Sequence, residues 1–173
     1  MRRRLVLGVV AVLTVVALAL GAWLVLGRDG GPSSSQVAAA TPEGSLTFSI
    51  PQGWRTLPCE SDEGDCVRVT SPGMAAEEAA TVSFLPPNPI EGTPVDLLAN
   101  PDVTVPGAVR VTVDGLPAAR IDPTSDGQDT TLVAGRARVE AGHLFMVVCP
   151  VGADAGRSRT VCEQVLRTLR VTR

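Results

Sequence analysis

The chain has 173 residues, 15 basic and 18 acidic side chains, a net charge of −3 and a single histidine, His143. Every basic residue is an arginine, and rings are sparse: three Phe, two Trp and no Tyr. One histidine excludes a His-rich metal centre, and so few rings argue against a base-stacking platform for nucleic acid.

Met1-Arg2-Arg3-Arg4 precedes an uncharged run from Leu5 to Gly27. As a helix that run spans about 34 Å, enough for a hydrocarbon core of about 30 Å. Trp23 sits where an interfacial ring is expected, and the leading arginines hold the N-terminus in the cytoplasm. The pattern predicts a basic cytoplasmic end over 1–4 and a transmembrane signal anchor over 5–27. The rest of the chain then lies outside the cytoplasm. A cleaved signal peptide is the competing reading, because Ala17-Leu18-Ala19 has the small-x-small form. Cleavage would give a secreted protein, but would leave Leu20 to Gly27 as an apolar new terminus. No cysteine follows the run to take a lipid.

Residues 28–44 (RDGGPSSSQVAAATPEG) are rich in Gly, Ser, Pro and Ala and show no apolar period. They read as a flexible linker to a globular domain over 45–173. That domain carries eleven arginines against sixteen Asp and Glu, a net charge of −5. Such a charge repels nucleic acid and anionic lipid heads.

Within the domain, Ser45 to Ile50 alternates, with Leu46, Phe48 and Ile50 on one face. Pro51-Gln52-Gly53-Trp54 turns the chain, so that Trp54 folds back over the core. Val67 and Val69 mark a second strand; Thr81 to Leu85 marks a third, with Val82 and Phe84 inward. Thr93 caps a short helix that has Pro94 at its first position and runs to Asn100. Val109, Val111 and Val113 alternate up to Asp114-Gly115, a hairpin signal, and Leu116 to Ile121 returns. A strict two-residue turn puts Arg120 on the face of Val109, so either the ladder slips or that face is partly wet. Asp122 to Asp129 is a loop. Thr130 to Glu140 and Leu144 to Cys149 form a hairpin about Ala141-Gly142. Leu144 to Cys149 is apolar on both sides, which predicts a central strand covered on both faces. Ala155 to Leu169 is the strongest helix, with Val161, Cys162, Val165, Leu166 and Leu169 on one face. The sum is α+β: an antiparallel sheet of about six strands with helices packed on it.

Cys59, Cys66, Cys149 and Cys162 allow three pairings, and an even count outside the cytoplasm predicts disulfides. The local pairs are favoured. Cys59–Cys66 would close the acidic loop, and Cys149–Cys162 would clamp the last helix to the sheet. The spacings C-x6-C and C-x12-C fit no common zinc pattern, and no CxxC suggests thiol redox chemistry.

Glu60, Asp62, Glu63 and Asp65 crowd the Cys59–Cys66 loop. It reads first as a solvated acidic loop, and otherwise as a partner-recognition or calcium loop, although EF-hand spacing is missing. Asp122, Asp126 and Asp129 pose the same question, and Asp126-Gly127 explains a turn without any ion. Arg136 and Arg138 share one strand face, an exposed polar face or an anionic-partner patch. Phe145 and Met146 read as core. His143, at a hairpin tip, reads as a solvated turn residue, since no serine motif supplies a nucleophile for it.

The order of features resembles the PsbP-like fold, an α/β/α sandwich. The residues that carry the resemblance are Ser45 to Trp54 (SLTFSIPQGW), the VDGLPAARI hairpin, the LFMVVC strand and the CEQVLRTLRV helix. It covers nearly all of 45–173 and is closest to actinobacterial envelope proteins of the LpqN type. It implies a binding or accessory role and brings no catalytic residue with it. LpqN-type proteins carry a lipidated cysteine, and this chain departs from them there. The functional expectation is a non-catalytic, membrane-anchored extracytoplasmic domain with an envelope protein as partner and no cofactor. The alternative is a carrier or sensor of a small apolar ligand or lipid. An enzyme finds no nucleophile, acid–base pair or metal cluster in this sequence.

Overall fold

The computed structural model describes residues 35–59, 64–87, 94–100, 102–123, 129–138, 142–152 and 154–172. The membrane anchor expected over 5–27 lies outside them. Among the described residues no helix is long and apolar enough to cross a membrane.

Among the described residues ten strands form two antiparallel sheets. The small sheet has the order β1 (Gln36–Ala40), β2 (Leu46–Pro51), β10 (Arg170–Val171). The large sheet has seven strands in the order β3, β4, β5, β9, β8, β7, β6. These are β3 (Arg55–Pro58), β4 (Asp65–Thr70), β5 (Ala80–Leu85), β6 (Ala108–Val113), β7 (Leu116–Ile121), β8 (Thr130–Arg136) and β9 (Leu144–Pro150). Helix α1 is Pro94–Ala99 and helix α2 is Ala155–Thr168. The expected single sheet of about six strands is thus corrected to seven plus three, with less helix than the sandwich reading implies.

The extra strands explain the difference. Gln36–Ala40 lies in the segment expected as linker, yet Val37 pairs with Ile50 and Ala39 with Phe48. The folded unit therefore begins at Ser35 rather than Ser45. β1, β3 and β10 bury almost nothing themselves. Backbone ladders hold them to a better-buried neighbour, so their side chains carry no alternation to read.

The core lies between the large sheet and a layer made of α2 and the small sheet. Leu46 and Phe48 of β2, Val82 and Phe84 of β5, Phe145 and Val147 of β9, and Val161 and Val165 of α2 meet there, all buried. At about 1.5–3 kcal/mol for each fully buried apolar side chain, this cluster is the main source of stability. Asp154 caps α2 by accepting the Arg157 N–H at 3.0 Å. At its other end, Gln164 Nε2 donates to the Ser49 carbonyl, and the Thr168 hydroxyl accepts the Ser49 N–H at 3.0 Å. These bonds fix the helix beside β2.

Among the described residues the opposite face of the large sheet is covered only in part. Leu98 and Ala99 of α1 pack with Ala119, Ala134 and Leu144 in a second, smaller cluster. Met146 and Val148 on that face are half-buried. β9 is the central strand as expected, but its burial is complete on the α2 side alone.

Both cysteine pairs join as expected: Cys59–Cys66 with Cα atoms 5.9 Å apart and Cys149–Cys162 at 5.8 Å. The second bridge is buried and ties β9 to the inner face of α2.

Candidate functional site

The β6–β7 hairpin decides where the surface opens. Asp114 and Gly115 both have positive φ, 52° and 74°, as a tight two-residue turn of the mirror-image kind demands. The ladder does not slip: Val113 faces Leu116 and Val109 faces Arg120. The face shared by Val109 and Arg120 is therefore buried at Val113 and wet at its Val109 end. Asp114 also holds the chain end, accepting the Val171 N–H at 3.0 Å and pairing with Arg170.

Helix α2 lies beside β2 and packs on β5 and β9, and among the described residues the surface opens between it and β6. The result is a groove of about 700 Å³. Val111, Val113 and Val133 form its floor, and Arg159, Thr160, Gln164, Leu166 and Arg167 its helical wall. Val109, at the outer end of this face, is 61% exposed. Arg120 closes one end. Its Nη1 lies 2.6 Å from Glu163 Oε1 and its Nε 2.7 Å from Asp122 Oδ1. Burial lowers the Arg120 pKa, but the bonds to Glu163 and Asp122 outweigh it and raise it, so this cation is fixed. A second hollow of about 460 Å³ continues beyond the pair towards Thr131, Pro150 and Ser158.

The groove is cationic on a mainly acidic unit. Glu163 and Asp122 are committed to Arg120, whereas Arg159 and Arg167 have no carboxylate within ion-pair range among the described residues. Arg167 donates instead to the Gln164 side-chain carbonyl.

The residues singled out in the sequence do not gather here. Glu60, Asp62 and Glu63 lie outside the described residues. Asp65 does not belong to a solvated loop: it opens β4, is 6% exposed and faces the β1–β2 turn. It accepts the Thr41 hydroxyl at 2.5 Å, the Glu43 N–H at 2.8 Å and the Ser45 N–H at 3.1 Å. Burial pushes the Asp65 carboxyl up, but the bonds from Glu43, Thr41 and Ser45 more than offset this and hold it below the usual range. A carboxylate so engaged is a turn-stapling group, not an exposed ligand. Among the described residues no three His, Cys, Asp or Glu side chains come together as a metal site.

Of the other acidic trio, Asp122 serves Arg120 and the Thr131 hydroxyl, the Asp129 carbonyl accepts the Val151 N–H, and Asp126 lies outside the described residues. Arg136 and Arg138 do not share a strand face, because β8 ends at Arg136 and Arg138 lies in the turn. His143 is not a solvated tip: it is half-buried, stacked on Phe84 at 5.2 Å between ring centres. Phe145 is fully buried, as expected of core.

No protein-family model and no curated protein matches the chain. Among solved structures it is similar to cyanobacterial PsbP (CyanoP) from Synechocystis sp. PCC 6803, at 15% identity and a TM-score of 0.48, over 82% of this chain and 95% of that one. A Bacteroides thetaiotaomicron VPI-5482 protein is similar at 15% identity and a TM-score of 0.45, over 79% of this chain and 48% of that one.

Proposed function

We propose that the unit over 35–173 is a non-catalytic binding or accessory domain of the bacterial cell envelope. On this reading it stands outside the cytoplasm on the anchor in residues 5–27, and its partner is another envelope protein. One observation carries the proposal: the groove between α2 and β6, with an apolar floor and an arginine wall. The groove is a surface feature rather than an enclosed apolar chamber, which favours a protein surface over a swallowed ligand. The residue-level resemblance of 45–173 to PsbP-like and LpqN-type proteins points the same way.

Photocrosslinking in native membranes tests this. A crosslinker replacing Thr160 on the groove wall should give one discrete protein adduct. One replacing Arg55, on the opposite edge strand β3, should not. Equal adducts from both positions, or lipid adducts alone from Thr160, would reject the reading; the lipid result would favour the carrier alternative. The mass of the recovered chain shows whether residues 1–27 are retained.

A further inference from the structure

The large sheet has two edges, and they are not protected alike. Edge β3 is four residues long, ends in Pro58 and is stapled at once by Cys59, all features that blunt an edge. Edge β6 reads Ala-Val-Arg-Val-Thr-Val, six residues with neither proline nor a bulge, paired only to β7 among the described residues. Its one charge is turned away from the groove face: Arg110 Nη2 donates to the Asn100 and Val103 carbonyls. In a two-residue hairpin Val113 and Leu116 exchange both backbone bonds, so Thr112, next along β6, turns its N–H and C=O groups outward. Pro117 lies opposite Thr112, where no N–H is needed.

Resting on the binding role proposed above, we infer that the partner contributes an extended acidic segment that adds to β6 as an eighth strand. A strand beside β6 sits about 4.8 Å further out, with alternate side chains on the groove face. Apolar residues there meet Val109 and Val111, and carboxylates reach Arg159 and Arg167. Charge selects against a second copy of this chain, since edge-to-edge pairing would bring two arginine walls together.

The test uses full-length protein in detergent and two fluorescein-labelled peptides, (Val-Glu)4 and (Val-Lys)4, read by anisotropy. The Glu peptide should bind and the Lys peptide should not. Thr112→Pro should weaken the Glu peptide at least about tenfold, the equivalent of one or two backbone hydrogen bonds. The double variant Arg159→Glu, Arg167→Glu should do the same by charge. Should Thr112→Pro misfold, a Glu peptide N-methylated at alternate residues gives the same answer on wild-type protein. Bound peptide should slow amide exchange at Thr112. Equal binding of both peptides, indifference to Thr112→Pro and N-methylation, a β6-paired dimer in the free protein, or no binding at all would overturn strand addition. If the Thr160 adduct to an envelope protein persists in any of those cases, the groove reading stands and only the strand mode falls.

Discussion

Gly135 packs against Phe145, its cross-strand partner in β9, and the pair sits at the centre of the core. A methyl group at residue 135 would lie 2.4 Å and 2.6 Å from two Phe145 ring carbons and 2.8 Å from the Pro117 carbonyl oxygen. The ring is fully buried, and the carbonyl is backbone. Overpacking of this kind costs about 1–3 kcal/mol, and contact with backbone puts Gly135→Ala at the upper end. Alanine recovers about 0.5–1 kcal/mol of chain entropy, leaving a net loss of about 2 kcal/mol. For a unit of this size that lowers Tm by roughly 6–10 °C. Calorimetry on Gly135→Ala, Phe145→Leu and the double variant is the assay. The double variant should be more stable than the sum of the single losses predicts, because the smaller side chain makes the room. An unchanged Tm for Gly135→Ala, or strict additivity, would refute the packing argument.

Asp65→Asn should cost about 2 kcal/mol at neutral pH, since an amide cannot accept all three donors of the β1–β2 turn. The Asp65 pKa is lowered by folding, so its contribution is present above the unfolded-state value and is lost as pH falls through the folded one. Urea titrations of wild type and variant should therefore converge in acid; a constant gap would contradict the assignment. Removing Cys149–Cys162 (both to Ala) should cost about 3 kcal/mol from loop entropy, and Cys59–Cys66 about 2.5 kcal/mol. Only the first also opens the core, so its urea midpoint should fall further; the reverse order would be wrong for this fold. Glu163→Gln should cost less than about 1 kcal/mol, because the Glu163 side chain is 52% exposed; a larger shift in the melt would mean that Arg120 holds α2 in place.

Elements that bury an apolar face were legible in the sequence. Leu46, Phe48 and Ile50 alternate because β2 is buried on one side only, and Val161, Cys162 and Val165 mark the inner face of α2. Asp114-Gly115 marks the β6–β7 hairpin in the sequence but leaves its register open, and the ladder in the structure does not slip. β1, β3 and β10 were not legible, because hydrogen-bonded neighbours hold them and their own side chains do not. The groove left one trace: Arg120 opposite Val109 on an otherwise apolar face of the hairpin. Its wall could not be read, because Arg159 and Arg167 sit on the outer side of a helix whose placement beside β2 depends on Ser49, more than a hundred residues away. Asp65 was misplaced because an acidic run looks solvated until the turn it staples folds onto it.

The central claim is that the groove holds another protein of the envelope. It is tested most directly by purifying full-length wild type and the Arg159→Glu, Arg167→Glu variant from native membranes side by side. Protein stoichiometry and extracted lipid are read from the same samples. The account predicts one envelope protein in near-stoichiometric amount with wild type, lost from the variant while its melting temperature is unchanged. Equal recovery from both, or a co-purifying lipid with no protein, would contradict it.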